Sequence, residues 1–201
     1  MYSTIPRRLL LLALLVALVL VPALLLRQSP SRTVHASLVP PAKQTLISPK
    51  PQVLTGLPVR LKIPSINVDA NVEYMGLNPS GELDTTKTPE NVGWYKLGQR
   101  PGDSGTAVIT GHFGWKNGIA AAFDNLHALH AGDKLYVDDE NGVPVTFVVR
   151  QLHAYTQHED ATGVFSSSDG KAHLNLVTCE GTWSSTSKSY SNRLVVFTDK
   201  L

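Results

Sequence analysis

Cysteine is almost absent from this chain, since one thiol, Cys179, stands among 201 residues. A single cysteine excludes an internal disulfide. In an exported domain, where disulfides form, this thiol is either paired with another chain or free for chemistry. Cys179 closes the apolar run 174–178, a pattern typical of a buried strand that ends where a side chain can meet solvent.

Acidic residues are missing from the first third of the chain. Residues 1–68 hold eight Lys and Arg residues and no acid, whereas residues 69–201 hold ten bases and all sixteen acids. A basic segment before an acidic domain suits a tether near anionic lipid. The acidic part also lacks a basic stripe or a nucleic-acid-binding signature, which excludes DNA and RNA as expected partners.

Charge is absent altogether from Leu9–Leu26, an 18-residue run of Leu, Val, Ala and one Pro. A helix of that length covers about 27 Å and nearly spans a bilayer core. A cleaved signal peptide is the alternative, but its apolar region is usually ~7–15 residues, and Val34-His35-Ala36, the nearest small-residue site, lies well beyond the run. We expect an uncleaved transmembrane signal anchor at 9–26, with residues 1–8 cytoplasmic and the following domain outside the cell.

Helical periodicity is scarce after the anchor. Residues 27–56 contain five prolines and no sustained period, which predicts an extracellular linker, and 57–201 is long enough for one domain. The pattern over 119–129 favours a short helix. Short apolar segments between turn residues predict a mainly β domain, a sandwich or a barrel. These segments are Val59–Ile63, Val68–Tyr74, Thr106–Thr110, Lys134–Val137, Val143–His153, Leu174–Thr178 and Leu194–Thr198.

One dense acid cluster, Asp138-Asp139-Glu140, precedes Asn141-Gly142 between two of these segments. Asn-Gly supplies the positive φ angles of a tight turn, so the stretch predicts a hairpin. Acids in a hairpin turn are more often solvated charge than calcium ligands. We therefore predict no metal site and no cofactor.

Three residues have the chemistry for acyl transfer. A thiol such as Cys179 reacts as the thiolate, which a neighbouring cation favours. His112 offers that charge and a proton for a leaving amine, and Arg193 offers a fixed cation for an oxyanion. Taken singly, each residue also fits a role without chemistry. Cys179 can be a small core residue, His112 is one of seven histidines, and Arg193 can mark the start of a strand.

The arrangement of these residues resembles the sortases, membrane-anchored cysteine transpeptidases of mainly Gram-positive bacterial surfaces. Thr110-Gly111-His112 follows one apolar strand, Leu176-Val177-Thr178-Cys179 ends another, and Arg193 opens the last, in the family's order. Collinear stretches extend the resemblance over residues 57–201. They are Arg60-Leu61-Lys62-Ile63-Pro64, Gly93-Trp94-Tyr95, Pro101-Gly102-Asp103-Ser104-Gly105 and residues 129–133.

The resemblance implies a closed eight-stranded β-barrel with one or two short helices, and with the cysteine and arginine on neighbouring strands. It implies cleavage of a Leu-Pro-X-Thr-Gly-like C-terminal signal of secreted proteins, followed by acyl transfer to an amine of a peptidoglycan precursor or another acceptor. Cys179 would be the nucleophile, His112 the acid and base, and Arg193 the residue that orients substrate and stabilises the oxyanion. Thr178 and Glu180 are further candidates for oxyanion or substrate binding.

The sequence departs from the family pattern in two places. The usual Thr-Leu-X-Thr-Cys motif has Asn175 in its first position, which changes a local hydrogen bond, and Glu180 follows the nucleophile directly. A carboxylate there raises the thiol pKa or shapes the pocket, according to where it points. Residues 181–192 are predicted to be a flexible loop, and the supporting motifs look most like the class E and F enzymes.

Two other functions fit parts of the sequence. An exported cysteine peptidase or cell-wall hydrolase would share the thiol, but papain-like enzymes place Cys before His, and the L,D-transpeptidase signature before Cys179 is missing. A non-catalytic β-domain that binds wall polymer would need neither Cys179 nor Arg193. Transfer of a Leu-Pro-X-Thr-Gly peptide to an amine separates a transpeptidase from the first alternative. Loss of function on substitution of Cys179 or Arg193 separates it from the second.

Overall fold

The computed structural model describes residues 54–201, which form a closed barrel of eight strands. The strands follow one another around the barrel in the order β1, β2, β3, β4, β7, β8, β6 and β5, and β5 pairs with β1 to close it. The predicted eight-stranded barrel is confirmed. The strands are β1 (Pro58–Ile63), β2 (Val68–Met75), β3 (Val92–Tyr95), β4 (Gly105–Gly111), β5 (Lys134–Asp139), β6 (Pro144–Thr156), β7 (Ala172–Ser184) and β8 (Ser189–Lys200).

Two of the eight strand pairs are parallel, and one of them matters for function. Strand β2 runs parallel to β3, and β4 runs parallel to β7 with Thr110 opposite Val177. Parallel neighbours end at the same edge of a sheet. The residues that follow Thr110 and Val177 therefore lie side by side, although the chain between them includes β5 and β6.

The barrel interior is filled by alternate residues of the strands. Leu174 and Leu176 of β7, Ile109 of β4 and Val196 of β8 are fully buried in one apolar cluster. Because successive side chains of a strand point to opposite faces, the residues between them point outward. Val177 accordingly lies outside the barrel, and Cys179, two positions further on, shares that outer face.

A second, smaller apolar cluster covers part of this outer face. Val164, from the segment between β6 and β7, packs against Val195 and Phe197 of β8, with Val177 at its side. Buried Asn175 secures the contact, since its Nδ2 donates to the Val164 carbonyl at 2.7 Å. The β6–β7 segment therefore forms a wall beside the end of β7.

The helix expected over 119–129 is absent. The segment contains only a 3₁₀ turn at Leu126–Ala128. Its backbone N–H groups form isolated turns and no continuous α-helix, because the N–H of Ala121 donates to the Asp124 carboxylate and the N–H of Phe123 donates to the His112 carbonyl. The buried Phe123 and Leu126 side chains produced the helical periodicity in the sequence, but they pack from an irregular turn.

The loop expected over 181–192 is mostly strand. β7 extends to Ser184 and β8 begins at Ser189, so a tight turn joins them. The rings of Trp183 and Tyr190 pack edge to face across the hairpin with centroids 5.2 Å apart, which stabilises the extension. Gly181, at a φ of 86°, lies in the irregular stretch where the pairing register shifts.

At the other end of the barrel, the predicted β5–β6 hairpin is present and its acids are internally bound. The buried Asp139 carboxylate accepts backbone N–H groups of Gly56, Asn141 and Val143 at 2.8–3.1 Å. These donors, Val143 first, lower the pKa of Asp139. Its neighbour Asp138 pairs with Lys62 at 2.7 Å.

The predicted anchor at 9–26 lies outside the described residues, as does nearly all of the predicted linker. Among residues 54–201, no helix is both long enough and apolar enough to cross a membrane. The last two linker residues already contact the barrel, since Thr55 N–H donates to Asp103 Oδ1 at 2.9 Å and Gly56 N–H to Asp139.

Candidate active site

Cys179 and Arg193 lie directly opposite each other on adjacent strands. They are paired in the antiparallel register of β7 and β8, as expected from the resemblance. Paired residues point to the same face of a sheet, so both side chains project from the outer face of the barrel. The thiol is free and partly exposed, which makes it accessible to a substrate.

His112 reaches the same region from β4. It is the first residue after that strand, and the parallel pairing of Thr110 with Val177 continues towards His112 beside Cys179. Its imidazole packs against the indole of Trp115, with ring centroids 4.6 Å apart. The structure therefore brings together the cysteine and the histidine that the sequence separates widely.

The second partner of His112 determines which ring nitrogen can exchange a proton. Nε2 lies 3.0 Å from the Thr86 carbonyl oxygen, and a carbonyl can only accept. Nε2 therefore carries a hydrogen in both the neutral and the charged ring. Nδ1 is left as the nitrogen that can take up or release a proton.

Gly111 and Thr178 hold the histidine and cysteine segments together. Thr178 is buried, and its hydroxyl donates to the Gly111 carbonyl at 2.8 Å. Gly111 must lack a side chain, since a Cβ there would lie 2.5 Å from the Phe123 ring. The Thr178 hydroxyl thus joins β7 to β4, and its role in oxyanion or substrate binding stays a prediction.

Arg193 is held at the turn end of the hairpin. Its guanidinium donates to the carbonyls of Tyr190 and Asn192 at 3.1 and 3.0 Å and to Ser189 Oγ at 2.9 Å. These contacts use Nη1 and Nη2 of the guanidinium. The exposed guanidinium keeps donors that a bound carbonyl or oxyanion can accept.

A groove of about 1050 Å³ passes over these residues. His112, Cys179 and Arg193 all line it, together with Thr178 at its floor. Its walls come from the loop between β2 and β3, from the β6–β7 segment and from the β7–β8 hairpin. The volume lies at the upper end of the range for ligand sites in proteins, so the groove can hold a ligand much larger than a water molecule.

The β6 side of the groove carries a phenol and a carboxylate. Tyr155 pairs with Arg193 in the register of β6 and β8, and partial burial, followed by the charges of Glu159 and Asp160, raises its pKa. A neutral phenol is thus available to substrate. The pKa of Glu159 is lowered mainly by its hydrogen bond with His153.

Glu180 does not face this groove. It lines a separate cavity of about 230 Å³, whose other lining residues are Phe113, Phe123, His127, Thr178, Cys179 and Leu194. The sequence leaves the direction of Glu180 open, and the structure places the residue in this cavity beside Cys179. Its assignment to substrate binding stays a prediction.

Several site residues had no signal in the sequence. The Thr86 carbonyl that orients His112 belongs to an irregular loop, and a backbone acceptor leaves no trace in residue type. Phe113 and Trp115 lie one and three residues after His112, so two aromatic residues close to a candidate acid and base were a usable signal. Phe123 and His127 reach the cavity only through folding of the 3₁₀ segment.

Comparisons with known proteins agree with this geometry. The family model that describes the sortase domain matches residues 61–201 of this chain. Sortase C-1 from Actinomyces oris is 29% identical, with 72% of this chain and 74% of that chain covered and a TM-score of 0.57. Sortase C1 of Streptococcus agalactiae in complex with MTSET is 25% identical, with 71% and 66% covered and a TM-score of 0.55.

A lid mutant of sortase A from Corynebacterium diphtheriae shares the fold at 24% identity and a TM-score of 0.57, with 72% of this chain and 70% of that chain covered. No curated protein sequence matches the chain. These neighbours are class C and class A enzymes, so the assignment to class E or F stays a prediction. The domain match spans well over half of the chain, and the chain therefore belongs to the sortase family of cysteine transpeptidases.

Proposed function

We propose that this protein cleaves a Leu-Pro-X-Thr-Gly-like signal near the C-terminus of secreted proteins and transfers the resulting acyl group to a cell-wall amine. Cys179 is the nucleophile, His112 is the acid and base, and Arg193 binds the carbonyl oxygen. One observation carries the proposal, namely that a single groove of about 1050 Å³ is lined by all three side chains.

The first half of the reaction forms a thioester. The Cys179 thiolate attacks the scissile carbonyl carbon, the C–N bond breaks, and the imidazolium of His112 gives its Nδ1 proton to the leaving amine. The fixed Nε2–H bond to Thr86 keeps the ring from turning while Nδ1 acts. The products are an acyl-Cys179 thioester, a neutral imidazole and the released C-terminal peptide.

Arg193 stabilises the charge that develops on the carbonyl oxygen. Its exposed guanidinium lies one strand away from Cys179, in register with it. The bonds to the carbonyls of Tyr190 and Asn192 hold the group in place before substrate arrives. Such preorganised donors act mainly on the transition state, because the oxyanion is absent from the free substrate.

The second half regenerates the enzyme. An acceptor amine loses a proton to neutral His112 and attacks the thioester carbonyl, and the C–S bond breaks. The product is a new amide, and the enzyme again holds a thiolate and an imidazolium. Because water competes with the amine for the same thioester, the ratio of transfer to hydrolysis measures how well the acceptor is bound.

The proposal is tested with the full-length chain, a peptide containing Leu-Pro-X-Thr-Gly and a primary amine. We expect a transfer product cut after Thr, and a thioacyl adduct on Cys179 detectable by mass spectrometry after rapid acid quenching. A panel of signal variants then defines the motif. Cleavage of peptidoglycan without any thioacyl peptide adduct would show a cell-wall hydrolase instead.

We also propose that residues 9–26 anchor the enzyme as a single-pass membrane protein with its catalytic domain outside the cell. The uncharged 18-residue run supports this proposal. Protease added to intact cells should digest the catalytic domain. In untreated cells, the whole protein should remain in the membrane fraction after alkaline extraction. Recovery of the domain in the culture medium would indicate cleavage of the segment instead.

A further inference from the structure

Cys179 lies at the junction of two separate cavities. The large groove and the smaller cavity of about 230 Å³ share Thr178 and Cys179, and their other lining residues differ. Residues in the groove include His112 and Arg193, whereas the smaller cavity includes Glu180 and Phe113. A thioester on Cys179 is therefore approachable from two directions.

The smaller cavity combines largely apolar walls with one carboxylate, that of Glu180, and one imidazole, that of His127. Phe123 and Leu194 are buried, and Phe113 is held in place by the ring of Tyr190 with centroids 5.5 Å apart. Within residues 54–201, the Glu180 carboxylate forms no ion pair. A partly buried carboxylate that lies beside aromatic rings and has no ion pair can bind a cation.

We propose that this cavity is the acceptor site, and that it takes a primary amine carried on an aliphatic arm, with Glu180 binding the ammonium group. The inference rests on the proposed function, because it concerns the second substrate of the same reaction. In this arrangement the acyl chain stays in the large groove while the acceptor enters from the opposite side of Cys179.

The dimensions and walls of the cavity favour an amine of the lysine type over the α-amine of a glycine. One water molecule needs only about 10–15 Å³ of cavity space, so 230 Å³ accommodates a ligand of several groups of that size. The four-carbon stem and ammonium of a lysine-like side chain fit within that space. Its methylene groups contact Phe113, Phe123 and Leu194, whereas glycine offers no comparable surface.

Binding and attack use different protonation states of the amine. Glu180 attracts the ammonium form, which is the abundant form at neutral pH. The bound ammonium releases one proton to solvent, and the neutral amine that results loses a second proton to neutral His112 as it attacks the thioester carbonyl and the C–S bond breaks. The carboxylate thus raises the local concentration of acceptor, and Glu180 is a binding residue that does not take part in bond exchange.

The test measures the ratio of transfer to hydrolysis with the full-length enzyme and one signal peptide. The probes are N-acetyl-lysine amide, whose only free amine is on the aliphatic arm, glycinamide, and hydroxylamine, which is small and uncharged at neutral pH. For the unaltered enzyme we expect half-maximal transfer to the lysine derivative at a concentration at least about tenfold below that for glycinamide.

Glu180→Gln should raise the half-maximal concentration of the lysine derivative by about tenfold or more, because the charged contact is lost. With hydroxylamine, the ratio of transfer to hydrolysis of the Glu180→Gln variant should remain close to that of the unaltered enzyme. Glu90→Gln is the matched control, since Glu90 is exposed and lines neither cavity. If Glu180→Gln is poorly folded, Glu180→Asp provides a second variant with intermediate effect.

The outcomes separate this inference from the proposed function. Absence of any cleavage of the signal peptide would contradict the proposed function itself. If the signal peptide is cleaved but the lysine derivative and glycinamide are used equally well, the acceptor site is overturned and the thioacyl mechanism stands. The same holds if Glu180→Gln and Glu90→Gln show the same half-maximal concentration of the lysine derivative. An equal loss for hydroxylamine and the lysine derivative would show that Glu180 acts on the thioester and does not recognise the ammonium.

Discussion

The two ends of the barrel treat their acidic residues in opposite ways. At the β5–β6 hairpin, Asp139 accepts three backbone N–H groups and Asp138 pairs with Lys62. At the Cys179 end, Glu180 lines a cavity without an ion pair among residues 54–201. The dense acid cluster of the sequence is structural, and the isolated acid beside the thiol is available to a ligand.

This difference indicates how stability and activity are divided in the molecule. Side chains at the end with the β5–β6 hairpin satisfy backbone groups that would otherwise be buried without partners, so their loss lowers the free energy of unfolding. Side chains at the Cys179 end face open cavities, so their loss affects substrates more than folding. Substitutions at the two ends should therefore separate the two properties.

The largest effect is expected for Cys179→Ala. Removal of the nucleophile should lower peptide transfer by at least about 10³-fold, because the residues of such a unit act together. The thiol is partly exposed, so the free energy of unfolding should change by no more than about 0.5 kcal/mol. Transfer rates and thermal melting of the same preparation test both statements. Residual transfer near the original rate would place the nucleophile elsewhere.

Arg193→Ala should follow, with a loss of about 10²–10³-fold in kcat, as expected for removal of an oxyanion donor. Arg60→Ala is the control, because Arg60 is also exposed and binds Asp69 on the β1–β2 hairpin. Steady-state kinetics distinguish the two variants. An increase in KM alone for Arg193→Ala would assign the residue to substrate binding without a role in the transition state.

Asn175→Ala should affect both properties, since Asn175 joins β7 to the β6–β7 wall of the groove. The buried Val164 carbonyl loses its donor, which costs about 1–3 kcal/mol, and a looser wall should raise KM for the peptide several-fold. Thr198→Val is the matched control. The buried Thr198 hydroxyl donates to the Leu174 carbonyl at 2.7 Å, and Thr198 does not line the groove. Equal KM values for the two variants would contradict a role of the wall in peptide binding.

Asp139→Asn should have the smallest effect on transfer and a clear effect on stability. The folded-state pKa of Asp139 is lowered, so its contribution is complete above the unfolded pKa near ~4 and is lost as pH falls through the folded pKa. The variant should melt at a lower temperature at pH 7 and lose less stability on acidification. Asp138→Asn, which breaks only the Lys62 pair, should cost less.

Much of the fold was predictable because strand periodicity reflects burial directly. Seven of the eight strands were expected near their observed positions. The eighth, Val92–Tyr95, is four residues long, too short for a reliable alternation, and forms because β2 and β4 both pair with it. The segments 119–129 and 181–192 were predicted wrongly, since tertiary contacts of Phe123 and the Trp183–Tyr190 ring pair override local pattern there.

The amino-acid sequence by itself determined a β-rich domain and the identity and chain order of His112, Cys179 and Arg193, because alternation and residue type are local properties. Only the tertiary structure decided that β4 runs parallel to β7, which brings His112 beside Cys179, and that Thr86 orients the imidazole. It also decided that Glu180 faces a second cavity at the thiol. Such relations depend on the pairing of distant strands, and no local pattern encodes the direction in which a side chain points at the end of a barrel.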